Sequence, residues 1–181
     1  MSIATERAAK MGVLVTNRLA LEKLRQVDVV CFDKTGTLTR GRPEVTEVVV
    51  REGSTQNDVL RLAASAEMPS EHPLARAIVR AARDRDLDVA SPTDFTTHAA
   101  TGVTARVDGH SVSVGGPRLV ENVAVPERLA SAANDLRGNT VLYVISGEEV
   151  VGVIALADEP RPESAQAVAD LRDRGIESVM I

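Results

Sequence analysis

The sequence predicts an α/β protein in which a parallel α/β unit is interrupted by an α+β insertion with an antiparallel sheet. Three observations predict it. Val27–Phe32 is an apolar, β-branched run that stops at Asp33 and a Lys-Thr-Gly turn, which reads as a short buried strand. Further on, two pairs of apolar runs flank Asp108-Gly109 and Ser146-Gly147, the pattern of two β-hairpins. Finally, Glu163–Arg174 reads as a helix stopped by Gly175, and Glu177–Ile181 as a strand.

Taken in order, the chain opens with a helical segment, and a short helix follows over Ala20–Arg25. The strand Val27–Phe32 carries Cys31, a small residue suited to a buried strand position. Arg40-Gly41-Arg42-Pro43 reads as a junction, because Gly and Pro punctuate the chain there. Glu44–Val50 is a strand and Gln56–Ala66 a helix with Val59, Leu60, Leu62 and Ala63 on its apolar face. Pro73 suits the first position of the next helix. In that helix Leu74, Ala77, Ile78, Ala81 and Ala82 form one buried stripe. Phe95–Ala99 is a strand, and the runs Gly102–Val107 and His110–Gly115 form the first hairpin. Glu127–Leu136 is a helix, and Val141–Ile145 with Val150–Ala157 the second hairpin. Asp158–Pro162 reads as a second junction; in the helix after it, Ala165, Val168, Ala169 and Leu171 are expected to point inward.

Composition narrows the function. The net charge of −5 and the lack of a basic stripe argue against a nucleic-acid partner. One cysteine excludes an intramolecular disulfide. Aromatics make up 2% of the chain, so the core must be aliphatic. The longest apolar run, near Val150–Ala157, falls far short of the ~18 residues of a membrane span. Met1–Lys10 lacks the apolar stretch of a signal peptide.

The chemistry centres on Asp33-Lys34-Thr35-Gly36-Thr37-Leu38-Thr39. An aspartate at the carboxyl end of a strand, on a hydroxyl-rich glycine turn, sits where open α/β sheets bind ligands. This stretch resembles, over all seven residues, the phosphorylation motif of P-type ATPases, ion pumps that pass through an aspartyl phosphate. The resemblance implies a haloacid-dehalogenase-like fold for the parallel unit. It implies that Asp33 is the nucleophile on the γ-phosphate of ATP, with Lys34, Thr35 and Thr37 completing the catalytic turn. Magnesium is then expected on an Asp33 oxygen and the Thr35 carbonyl. Phosphatases of the haloacid dehalogenase type resemble the motif but carry an aspartate two residues after the nucleophile. Thr35 cannot take a proton there, so the acyl phosphate is expected to persist.

Ser70-Glu71-His72-Pro73-Leu74 is similar to a motif of the heavy-metal (P1B) subgroup. That resemblance implies an adenine pocket lined by His72 and Glu67. It also implies a glycine loop, matched here by Gly102 and Val103, with Gly115 and Gly116 following. Two positions depart from the pattern: Ala100 stands where the family has the loop's first glycine, and Gly116 where it has an asparagine. Both bear on ATP affinity rather than on the location of the site. Asp158 and Arg161 are expected at the hinge between domains. The resemblance divides the chain into the first part of a phosphorylation domain (1–41), a nucleotide-binding domain (42–157) and a return segment (158–181). It implies ATP and magnesium as cofactors, and a heavy-metal ion reached only through a membrane domain absent from this sequence. The chain then reads as a cytoplasmic piece of an integral membrane pump, poorly able to turn over alone. A soluble phosphatase and a non-catalytic nucleotide-binding module are the two alternatives.

Overall fold

The structure, a computed structural model, describes residues 3–136 and 138–181. The chain forms helices α1 (Ile3–Lys10) and α2 (Arg18–Lys23), then strands β1 (Val29–Phe32) and β2 (Thr39–Val50). Helices α3 (Gln56–Glu67) and α4 (Pro73–Asp84) follow, then strands β3 (Thr93–His98), β4 (Gly102–Val107) and β5 (His110–Gly115). The chain continues with α5 (Glu127–Asp135), β6 (Thr140–Ser146), β7 (Glu149–Pro160), α6 (Pro162–Asp173) and β8 (Glu177–Met180). Two compact units result, Met1–Leu38 with Pro160–Ile181, and Thr39–Glu159.

In the first unit β1 and β8 pair in parallel, from Val29 opposite Glu177 to Phe32 opposite Met180. Helix α6, with Pro162 in its first turn, packs on β8. The strand expected to be buried is not. Val30 and Phe32 are half-buried, whereas Val29 and Cys31 are exposed. Successive strand side chains go to opposite faces, and only one face of this two-stranded sheet is shielded. The inward stripe of α6 also differs from expectation. Ser164, Val168 and Leu171 are the shielded positions, at helical spacing, and Ala165 and Ala169 lie exposed beside them.

The second unit holds a six-stranded sheet in the order β2-β7-β6-β5-β4-β3, with antiparallel pairs from β7 through to β3. Alternation of side chains supplies two cores. Leu142 and Val144 of β6 join α3 and α4 on one face, while Ile145, Val141 and Tyr143 join Leu129 of α5 in the other cluster. The β4–β5 turn has Asp108 at φ 50° and Gly109 at φ 81°, both positive as a type I′ turn requires. The division between the two units falls just before Arg40–Pro43, between Leu38 and Thr39, and β2 runs through Arg40–Pro43 without interruption. Pro43 is tolerated because β2 is an edge strand, where a missing N–H leaves one side of the ladder unaffected.

Candidate functional site

Asp33 stands directly after β1, and Lys34–Leu38 wind into an irregular turn broken at Thr35 and Gly36. The Asp33 carboxylate accepts the Thr35 N–H at 3.2 Å. Asp33, Lys34, Thr35 and Thr37 are all exposed. The start of α6 holds the far side of this turn. Arg161 donates its main-chain N–H to the Leu38 carbonyl at 2.8 Å and its guanidinium to the Gly36 carbonyl at 3.2 Å. Ser164 donates its hydroxyl to the same Leu38 carbonyl at 2.9 Å. The Asp33 carboxylate and the Thr35 carbonyl are hard oxygen donors of the kind magnesium takes. Among the described residues no cluster of three or more His, Cys, Asp or Glu accompanies them.

Asp158 has a different task within the second unit. It lies on β7 and accepts from the Thr39 hydroxyl, from the Gly41 N–H at 3.2 Å and from the Arg42 N–H at 3.0 Å. One carboxylate thus fastens the first residues of β2, the stretch expected to be a junction.

The second unit also contains a cleft of about 310 Å³. The end of α3 brings Glu67, the turn after it Ser70, and the start of α4 His72 and Leu74. The β3–β4 turn brings Ala100, Gly102 and Val103, and the end of β5 brings Gly115 and Gly116. Glu67, His72, Gly102, Val103, Gly115 and Gly116, scattered over the sequence, therefore line one cavity. His72 is the N-cap of α4, and its Nδ1 accepts the Leu74 N–H at 3.2 Å. An acceptor at Nδ1 puts the proton of the neutral imidazole on Nε2.

Glu67 is 7% exposed, and its Oε2 has no hydrogen-bond partner. Burial pushes its carboxyl up to about 7, against a smaller downward pull from the Ser70 hydroxyl. Gly102 and Gly115 face each other across the β4–β5 ladder. A Cβ on Gly102 would stand 2.1 Å from the Val114 carbonyl oxygen, and one on Gly115 would stand 2.0 Å from that of Thr101. Their missing side chains let two backbones touch at the cleft wall. Ala100 sits at φ 61°, in the left-handed region that costs a residue with a Cβ about 1–2 kcal/mol. Gly116 has φ −72°, and a Cβ there would meet nothing within 4 Å.

Sequence reasoning passed over several lining residues. His98, Thr97 and Leu142 belong to the cleft but to no motif. The only signal for His98 is strand register, since it pairs with Gly102.

Comparison with known proteins agrees with this architecture. Residues 27–181 match the family model of haloacid dehalogenase-like hydrolases. The chain is 42% identical, over 99% of its length, to the probable copper-exporting P-type ATPase V of Mycobacterium tuberculosis, of which it covers 24%. It is 47% identical, over 93% of its length, to the probable cobalt/nickel-exporting P-type ATPase of Mycolicibacterium smegmatis, of which it covers 25%. A solved zinc-transporting PIB-type ATPase in its E2·Pi state superposes with a TM-score of 0.81 at 36% identity, covering 96% of this chain and 28% of that one. The chain thus spans about a quarter of the length of the curated relatives it matches. Among the described residues no helix is long and apolar enough to cross a membrane. With its Asp-Lys-Thr-Gly turn, its inserted antiparallel unit and these relatives, the chain belongs to the haloacid dehalogenase-like hydrolase family and is homologous to the matching quarter of heavy-metal P-type ATPases.

Proposed function

We propose that this chain is the nucleotide-binding and phosphoryl-accepting part of a P-type ATPase that moves a heavy-metal cation across a membrane. The observation that carries the reading is the gathering of Glu67, His72, Gly102 and Gly116 around one cleft, in a chain that also presents Asp33 on an exposed turn. The adenine enters the cleft, where the His72 ring offers stacking and an Nε2–H donor and Glu67 offers its carboxyl. Asp33 attacks the γ-phosphorus of ATP. One carboxylate oxygen forms the new P–O bond, the bond to the ADP oxygen breaks, and ADP leaves. The Lys34 ammonium offsets phosphate charge, and the Thr37 hydroxyl and turn N–H groups donate to phosphoryl oxygens. Magnesium, held through Asp33 and the Thr35 carbonyl, neutralises phosphate charge when bound. Thr35, which cannot act as a general base, lets the aspartyl phosphate persist. Arg161 and Ser164 keep the turn's carbonyls in place. The phosphoenzyme drives the cation through membrane segments of the whole protein, with this part on the cytoplasmic side.

Calorimetric or NMR titration with ATP tests the cleft. Saturable binding in the micromolar to millimolar range, about 4–8 kcal/mol, is expected, together with marked weakening in His72→Ala. Binding that ignores His72 would move the adenine elsewhere. Labelling of the full-length protein with γ-labelled ATP tests the chemistry: Asp33→Asn should abolish the phosphoenzyme altogether.

A further inference from the structure

Glu67 is a carboxyl group in surroundings that suit no carboxylate. It is 7% exposed, its Oε2 is unpartnered, and among the described residues no lysine or arginine lines its cleft. The titratable side chains that share the cleft are His72 from the start of α4 and His98 from the end of β3. The walls from β4, β5 and β6 supply only Gly102, Val103, Val114, Gly115 and Leu142, none of which titrates. A carboxylate buried without a cation relieves its desolvation by taking a proton, and burial here raises the carboxyl to about 7.

We infer that Glu67 recognises the purine as a neutral acid, donating its O–H to adenine N1 and accepting an N6 amino hydrogen on its carbonyl oxygen. This rests on the nucleotide reading of the cleft. Adenine presents an acceptor beside a donor on this edge, and a carboxylic acid offers the complementary pair. An ionised carboxylate offers acceptors alone and sets one oxygen against the N1 lone pair. Guanine presents two donors at N1 and N2, which suit the ionised form. The proton on Glu67 therefore sets base preference: ATP when protonated, with the preference over GTP shrinking as the group ionises.

Glutamine copies the neutral acid, since its amide donates from nitrogen and accepts at oxygen. The test is calorimetric titration of this chain and of Glu67→Gln with ATP and with GTP, without magnesium, near pH 6 and near pH 8.5. A carboxyl half-protonated near 7 is only about 3% protonated near pH 8.5, so ATP affinity should fall on the order of tenfold or more between the two. In Glu67→Gln that fall should vanish, and its ATP affinity near pH 8.5 should exceed the wild-type value. GTP affinity should move the other way in the wild type alone. His72, His98 and the γ-phosphate are common to both proteins, so the difference between the proteins isolates Glu67. An equal fall in both proteins would overturn the inference. So would a Glu67→Gln protein that keeps the wild-type NMR fingerprint yet binds ATP poorly throughout, because the carboxylate would then be the binding form. Absence of saturable ATP binding by the wild type at either pH would instead remove the nucleotide reading itself, and this inference with it.

Discussion

Asp33 and Glu67 are both carboxyl groups at the end of a regular element, one just beyond β1 and the other closing α3, yet their surroundings are opposite. Asp33 is exposed and accepts a backbone N–H; Glu67 is buried with one oxygen unpartnered. The same contrast runs through the units that hold them. All the fully buried hydrophobic residues lie in the second unit, and among the described residues of the first unit none is fully buried. The role proposed for Asp33 needs a carboxyl group that a ligand can reach, and a turn on the surface provides that. Selective recognition of a base needs a dry wall, and only a packed core provides one.

Stability measurements offer the largest break in this comparison. Leu60→Ala, at a fully buried position on α3, should cost about 2–5 kcal/mol in denaturant unfolding. Val30→Ala, half-buried on β1, should cost about 1 kcal/mol. Equal costs would mean that the first unit is as tightly packed as the second. Next comes pH. Because burial raises the Glu67 carboxyl from the ordinary 4.5 to about 7, the folded state holds a proton that the unfolded chain has released. The stability linked to that proton is whole below about 4.5 and is lost as pH rises through about 7. Glu67→Gln should flatten this slope and be the more stable protein near pH 8, by up to about 3 kcal/mol. A variant less stable there would place an undetected cationic partner at Glu67.

Smaller effects sharpen the picture of the cleft wall. Ala100→Gly relieves the positive φ and should raise the melting temperature, by about 1 kcal/mol of stability. Destabilisation would mean that the Ala100 methyl packs usefully. Gly116→Asn meets open space and should leave stability within about 0.5 kcal/mol. If its amide reaches the nucleotide, ATP should bind tighter by about 1 kcal/mol, the worth of one hydrogen bond. Unchanged affinity would place the ribose and phosphates away from Gly116.

Local patterns carried much of the fold. The helix stripe Leu74–Ala82, Pro73 at its start and the Asp108-Gly109 hairpin depend on spacing and turn chemistry, which neighbours in sequence decide. The place of the Asp33 turn was equally legible, because a strand end and a glycine turn are set by consecutive residues. Arg40–Pro43 was only half legible: the units divide just before it, but the stretch itself is strand. Gly and Pro there mark a break by composition, but an edge position and the Asp158 carboxylate, more than a hundred residues away, make it strand. Cys31 misled likewise: an apolar run says strand, and only the sheet around it decides how many faces are covered.

The sequence by itself determined the Asp33 turn and the alternation of hairpin and helix, since each depends on backbone preferences a few residues long. Tertiary structure alone decided that His98 and Leu142 join the cleft, that Gly102 and Gly115 meet backbone to backbone, and that Glu67 is stripped of water. The physical reason is that desolvation and close approach belong to the packed assembly, and no single residue or its chain neighbours can set them.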